Sequence, residues 1–123
     1  MALTTMYDGQ VNSPLTIVNV AINDTTTTIE VLDDTKIPSA PNLLVIGGDT
    51  ENPETVKLTN KSGTTLTVER AFQGAAQSWD YGSKIGRLYT EYDFSAFKEN
   101  IEGNYWTVGT TEPDSGWWVE EIV

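Results

Sequence analysis

Any chemistry done by this chain would have to come from carboxylates, hydroxyls, aromatic rings and a few lysines and arginines, because its 123 residues include neither histidine nor cysteine. Those two absences remove the commonest general base, the usual zinc ligands and the thiolate nucleophile, and they leave nothing for a disulfide to staple. Carboxylates are plentiful, but the pairs Asp33-Asp34 and Glu120-Glu121 are chain neighbours, whereas a glycosidase pair must face each other across a cleft. Asp49, Glu51 and Glu54 crowd one loop and its exit. They lack the Asp-x-Asp-x-Asp-Gly rhythm and the distant bidentate glutamate of a calcium loop, so a solvated loop is expected there. A glycine-rich phosphate cradle, a nucleophile elbow and a metalloprotease helix are all absent from the sequence. The expectation is a protein that is not an enzyme and uses no cofactor and no metal.

Three of the four tryptophans, Trp106, Trp117 and Trp118, fall in the last twenty residues. Exposed aromatic faces in small β modules stack on sugar rings, with nearby acids accepting hydroxyl hydrogen bonds, so these three are the candidate glycan contacts. Trp117 and Trp118 are adjacent, however, and in a strand would point to opposite faces, leaving at most one to join Trp106. Packing or subunit contact is the stronger expectation, because aromatics are enriched at interfaces.

Eighteen acidic residues against seven basic ones give a formal net charge of −11. Nucleic acid is excluded as a direct partner by that balance, since phosphate binding runs on clustered Lys and Arg, and so is an anionic membrane surface. No apolar run approaches the roughly 20 residues of a membrane span. Met1 to Thr5 also lacks the basic start and apolar core of a signal peptide, so a soluble chain made in a cytosol is expected.

The elements that would position these groups are mostly strands. Val56 and Leu58 alternate with polar residues, as do Leu66 and Val68, which is the period-two pattern of a half-buried hairpin. Pairing Leu58 with Leu66 and Val56 with Val68 leaves Lys61, Ser62 and Gly63 as a three-residue loop with glycine in the left-handed position. Leu15 to Ile22 and Thr28 to Leu32, joined through Asn23 to Thr27, predict a second hairpin. Leu43 to Ile46 is apolar without alternation, as in a central strand covered on both faces, and Gly47-Gly48 ends it. Ile85 to Tyr89 returns as a strand. Between the strands, Trp79 and Tyr81 are expected to fold back over one end of the barrel or sandwich.

One helix is predicted. Asp93 is a suitable N-cap, Tyr92 can staple onto Phe97, and Gly103 stands where a helix stops. Phe94, Phe97 and Ile101 share a face, and about ten residues cannot hold a helix without a surface to lie on. That surface is either its own sheet or the same helix in neighbouring copies, which makes Tyr92, Phe94, Phe97 and Ile101 the candidate oligomer or assembly interface. From Glu91 onward there are eight acidic residues against one lysine, marking this end as the outward one. The resulting architecture is all-β, a small antiparallel barrel or sandwich built from hairpins with one short helix. Residues 1–14 form an N-terminal arm of the kind that lies on a neighbouring subunit, 15–103 the β domain with its terminal helix, and 104–123 a Trp-rich hairpin or tail.

Four stretches resemble a domain of structural proteins of tailed bacteriophages, often found at the start of tail-fibre or baseplate-associated proteins. They are Pro38 to Gly47 (Pro-Ser-Ala-Pro-Asn-Leu-Leu-Val-Ile-Gly), Glu54 to Thr67, Arg70 to Gly82 (opening Arg-Ala-Phe-Gln-Gly) and Thr90 to Ile101. Ala71 stands where that family usually has glycine, which implies a backbone there without a left-handed requirement. The ending Pro113 to Trp118 is similar to endings of phage fibre proteins and of small chitin-binding modules. The resemblance implies a non-enzymatic virion component, capsid decoration or tail-fibre and baseplate element, made in a bacterial cytoplasm and built in several copies, a trimer being frequent. Its partners would be copies of itself and other virion proteins. A carbohydrate-binding module for host surface glycan is the alternative.

Overall fold

The computed structural model describes residues 3–109, with side chains described as far as residue 102. Two compact units divide it. Tyr7–Thr90 is the β unit, and the segment up to Met6 joins the helix beginning at Glu91 in the other. The divisions therefore fall at Tyr7 and Thr90, whereas the sequence drew them at residues 14 and 103.

The β unit is all antiparallel. Its strands are β1 (Leu15–Ile17), β2 (Thr28–Glu30), β3 (Asn42–Ile46), β4 (Glu54–Ser62), β5 (Thr65–Gln73) and β6 (Lys84–Gly86), and they form one curled sheet in the order β1-β6-β3-β4-β5-β2. The edges meet through an isolated bridge between Val18 and Val31, supported by Asn19 N–H donating to the Glu30 carbonyl at 2.8 Å and Leu32 N–H to the Ile17 carbonyl at 3.1 Å. This contact curls a six-stranded sheet into a half-barrel and covers edges that would otherwise offer unpaired backbone to another chain. Val18, Ile29, Leu44, Ile46, Val56, Leu58, Leu66 and Ile85 fill its interior.

The all-β class and the single helix agree with the sequence, and β3 is central and buried along its whole length as expected. The predicted hairpin of residues 15–22 with 28–32 is not what forms. β1 pairs with β6 and β2 with β5, so each segment finds a partner elsewhere in the sheet and the two touch only at the closure. The loop between them is held by Asn23, whose Oδ1 accepts from Thr25 N–H, Thr25 Oγ1 and Thr26 Oγ1 at 2.8–2.9 Å, while Ile22 bridges to Trp79.

The β4–β5 hairpin forms in a different register from the predicted one. Ser62 pairs with Thr65, Lys61 with Leu66 and Leu58 with Val68, so the loop is the two residues Gly63-Thr64. Gly63 has φ +59° and Thr64 is not left-handed, the pattern of a II′ hairpin. Thr59 is an extra residue on β4, and such a bulge switches the parity of the strand. The parity change turns Lys61 toward the inside, where its Nζ donates to the Ile37 carbonyl at 2.7 Å. A second irregularity sets Arg70, Ala71 and Phe72 opposite Val56, between the pairs Thr55–Gln73 and Lys57–Glu69.

Ala71 has φ +52° at the centre of that bulge, so the expectation drawn from its not being glycine is corrected. The left-handed conformation is required, because it aims the Ala71 amide at the carboxylate of Glu54. An alanine there bears a cost of roughly 1–2 kcal/mol that glycine escapes, against about 0.5–1 kcal/mol of extra chain freedom that glycine loses on folding. Ala71→Gly is therefore expected to stabilise the β unit by about 0.5–1 kcal/mol, read as a higher urea midpoint at unchanged slope.

Helix α1 spans Glu91–Gly109. It begins two residues before the predicted cap, which puts Glu91 and Asp93 in its first turn, where carboxylates suit the helix dipole. It also runs through Gly103, since an interior helical glycine costs only about 1 kcal/mol relative to alanine. Residues 104–109, expected in a Trp-rich hairpin or tail, therefore belong to the helix, and the rest of that expected hairpin or tail, residues 110–123, lies outside the described residues. Among the described residues no helix is long and apolar enough to cross a membrane.

Candidate functional site

Two constellations stand out, one inside the β unit and one on α1. The first is built on Glu54, which opens β4 in the same parity as Val56 and Leu58 and is therefore turned inward, fully buried. Arg70 reaches it bidentately, Nε donating to Oε2 and Nη2 to Oε1, both at 2.8 Å. The Ala71 amide donates to Oε2 at 2.9 Å, and the Trp79 indole N–H and the Gln77 amide donate to Oε1 at 3.0 and 3.3 Å. Arg70 spends its other donors on the carbonyls of Asn23, Thr26 and Gln77 at 2.6–2.8 Å. Burial alone would raise the Glu54 pKa, but the donors from Arg70, Trp79 and Ala71 outweigh it and hold the carboxyl below its ordinary value. The donors come from two places, Arg70 and Ala71 at the β5 bulge and Gln77 and Trp79 in the loop after β5. Arg70 also holds the carbonyls of Asn23 and Thr26, so one ion pair ties these segments to the start of β4. The carboxylate is saturated by protein donors, which suits a structural knot and leaves it no lone pair for a substrate or ion.

Glu54 is thus not the loop acid the sequence suggested. Asp49 and Glu51 remain exposed, and among the described residues no group of three or more acids could hold a metal ion. Trp79 folds inward as expected, packed over Gly47, but Tyr81 is exposed. Asp33 caps a short 3-10 turn, Asp34–Lys36, by accepting from the Thr35 amide and hydroxyl.

The arm of residues 1–14 is divided between the two units. Residues 7–14 are fastened inside the β unit. Buried Arg87 donates from Nε to the Asp8 carbonyl at 2.9 Å and from Nη2 to the Tyr7 carbonyl at 3.3 Å, and Asn42 Nδ2 also donates to the Asp8 carbonyl at 3.0 Å. In the other unit the arm lies along α1. Thr4 and Asn100 exchange two hydrogen bonds, Thr4 N–H to Oδ1 at 2.7 Å and Nδ2 to the Thr4 carbonyl at 2.9 Å, so the side-chain amide mimics one rung of a β ladder. Thr4 Oγ1 donates to Glu99 at 2.8 Å, and Tyr92 OH to the Thr5 carbonyl at 2.6 Å.

These bonds fix how the helix is turned. Tyr92, Ala96 and Asn100 are spaced four apart and lie on one side, with Ala96 buried; Phe94, Phe97 and Ile101 lie roughly 130° around the cylinder from them. The second set is 56%, 53% and 48% exposed. The structure therefore brings three of the four candidate interface residues together on one open face. Tyr92 lies on the other side, its hydroxyl donating to the Thr5 carbonyl, and at the second helical position it does not act as the staple before the cap. Of the glycan candidates, the backbone of residue 106 is in α1, and Trp117 and Trp118 lie outside the described residues.

Sequence reading missed Glu54, Arg70, Arg87, Thr4 and Asn100 as fastening residues. For the first pair the signal was present: Glu54 and Arg70 sit in the inward parity of Val56, Leu58, Leu66 and Val68, with opposite charge. No protein-family model matches the chain, and no curated protein matches it.

Proposed function

We propose that this chain is a non-enzymatic structural protein of a tailed-bacteriophage virion, a surface component carried in several copies and assembled as a trimer on the particle. It serves as capsid decoration or as a tail-fibre or baseplate element. The observation that carries the reading is the outward face of Phe94, Phe97 and Ile101, held open by polar bonds on the other side of the same helix. A soluble domain normally turns such a stripe to its core. Leaving three large apolar side chains half in water forgoes about 25 cal/mol for each Å² left exposed, which a packing surface recovers on assembly. The buried Glu54–Arg70 knot supports the same role, because it stiffens a scaffold without offering a reactive group.

Mass spectrometry of purified particles from the source encoding the chain tests this. The protein is expected in fixed stoichiometry with the other virion proteins; its presence in the lysate together with absence from particles would overturn the proposal. Trp106, expected in the Trp-rich hairpin or tail on which the glycan alternative rests, falls in α1 instead. Tryptophan fluorescence is accordingly expected to stay flat on titration with host polysaccharide, and saturable quenching lost in Trp118→Ala would favour the alternative.

A further inference from the structure

The open face of α1 carries a second property, its charge. Flanking Phe94, Phe97 and Ile101 the described helix carries Glu91, Asp93 and Glu102 against a single Lys98, while Glu99 lies on the arm side with Thr4, and Lys98 is already 4.0 Å from Glu102 one turn on. By helix geometry Asp93 flanks one side of the apolar stripe, and Lys98, Glu91 and Glu102 flank the other. We infer that the partner of this face is a different protein, presenting an apolar surface rimmed by lysine or arginine, and that this contact seats the chain on the particle. The inference rests on the structural role proposed above and names the chemistry of the partner.

Charge decides between the occupants. A second copy would bring the same acidic rim against this one, and like charges flanking an apolar seam oppose close approach. The chain's own last residues fare no better, because residues 110–123 contain Glu112, Asp114, Glu120 and Glu121 and no basic residue. A cationic rim instead gains from each of these carboxylates at the moment the aromatics are desolvated. Copies are then arranged around one another by the surface that receives them and not by helix-to-helix contact.

The test uses the full chain and a fluorescein-labelled amphipathic leucine–lysine peptide, with a leucine–glutamate peptide as control, read by anisotropy. Binding of the lysine peptide alone is expected, weakening at least about tenfold from 0.1 to 0.5 M salt as screening shortens the reach of the rim. Phe94→Ser with Phe97→Ser keeps every charge and should also cost more than about tenfold, since two apolar anchors are lost. Undiminished binding by that variant would mean the peptide senses only net charge, and would overturn the inference. So would binding that appears only once Trp117→Ser and Trp118→Ser are introduced, which would assign the face to the chain's own tail. Light scattering completes the set: a monomer at both 0.1 and 1 M salt is expected, and salt-strengthened self-association would give the face to a second copy. If peptide binding fails while the chain is present in particles, this inference falls and the virion role stands; absence from particles overturns the virion role and the seating on the particle with it, while peptide binding would still show the chemistry of the partner of this face.

Discussion

Replacing Glu54 by glutamine is expected to destabilise the β unit by about 3–5 kcal/mol, the usual consequence of leaving one member of a buried ion pair alone. Glutamine fills the same volume, so no cavity contributes. The loss comes from Arg70, whose side chain is 7% exposed, keeping its charge with no carboxylate to meet it. The amide that replaces Oε1 or Oε2 also turns donors toward donors, because Arg70, Ala71, Gln77 and Trp79 all give hydrogen bonds at this point. Against a total stability of 5–15 kcal/mol typical of a domain, such a change is visible as a fall of tens of degrees in Tm. Adding Arg70→Met should restore part of the loss, since the unpaired charge goes while the amide oxygen can still accept from Trp79 or Ala71. Glu54→Gln within 1 kcal/mol of the parent would show that the pair is not what fastens these loops.

The same carboxylate sets the acid limb of stability. Its folded-state pKa lies below the unfolded one, so its contribution is complete above the unfolded value and disappears as pH falls through the folded value. Asp33 acts with the same sign, its carboxyl being held low by the Thr35 hydroxyl and amide. In Glu54→Gln the acid limb should be shallower, leaving the smaller slope that Asp33 supplies.

Glu54 also shows how far the sequence could be read. The alternation that identified β4 and β5 as strands places Glu54 and Arg70 on the inner face, yet an acid beside two other acids reads as a loop residue until its parity is extended backward by one step. The register was less accessible. Thr59 and the Arg70–Phe72 bulge carry no compositional mark, and an alanine at φ +52° conceals a left-handed position that glycine would have announced. Pairings of β1 and β2 were misassigned because short strands close in sequence look like a hairpin, whereas sheet closure draws them to distant partners. On α1, spacing alone was enough to group Phe94, Phe97 and Ile101. Which way the group points depends on Thr4 and Tyr92, and a hydrogen bond between residues 4 and 100 leaves no trace in periodicity.

Gly47→Ala is expected to be nearly as damaging as loss of Glu54, for a reason that joins the two sites. Gly47 follows β3 at φ +70°, and a Cβ built on it would lie 2.3 and 2.4 Å from the Trp79 ring atoms Cη2 and Cζ3. The glycine cannot retreat easily. Its N–H donates to the Lys84 carbonyl at 2.7 Å, and its carbonyl accepts from the Thr50 amide and hydroxyl at 2.8 and 2.6 Å. The indole must therefore move, and in moving it surrenders the bond from its Nε1 to Glu54 and the burial of a side chain that is 7% exposed. Backbone strain contributes about 1–2 kcal/mol and displacement of the ring about 2–4 kcal/mol more. Chemical denaturation of Gly47→Ala, Trp79→Leu and the pair separates these terms. Leucine at 79 is smaller, so in its background the alanine should cost only the roughly 1–2 kcal/mol of strain, a coupling of about 2 kcal/mol or more between positions 47 and 79. Strict additivity would mean that the ring does not rest on Gly47, and that Trp79 reaches Glu54 without the space that this glycine leaves.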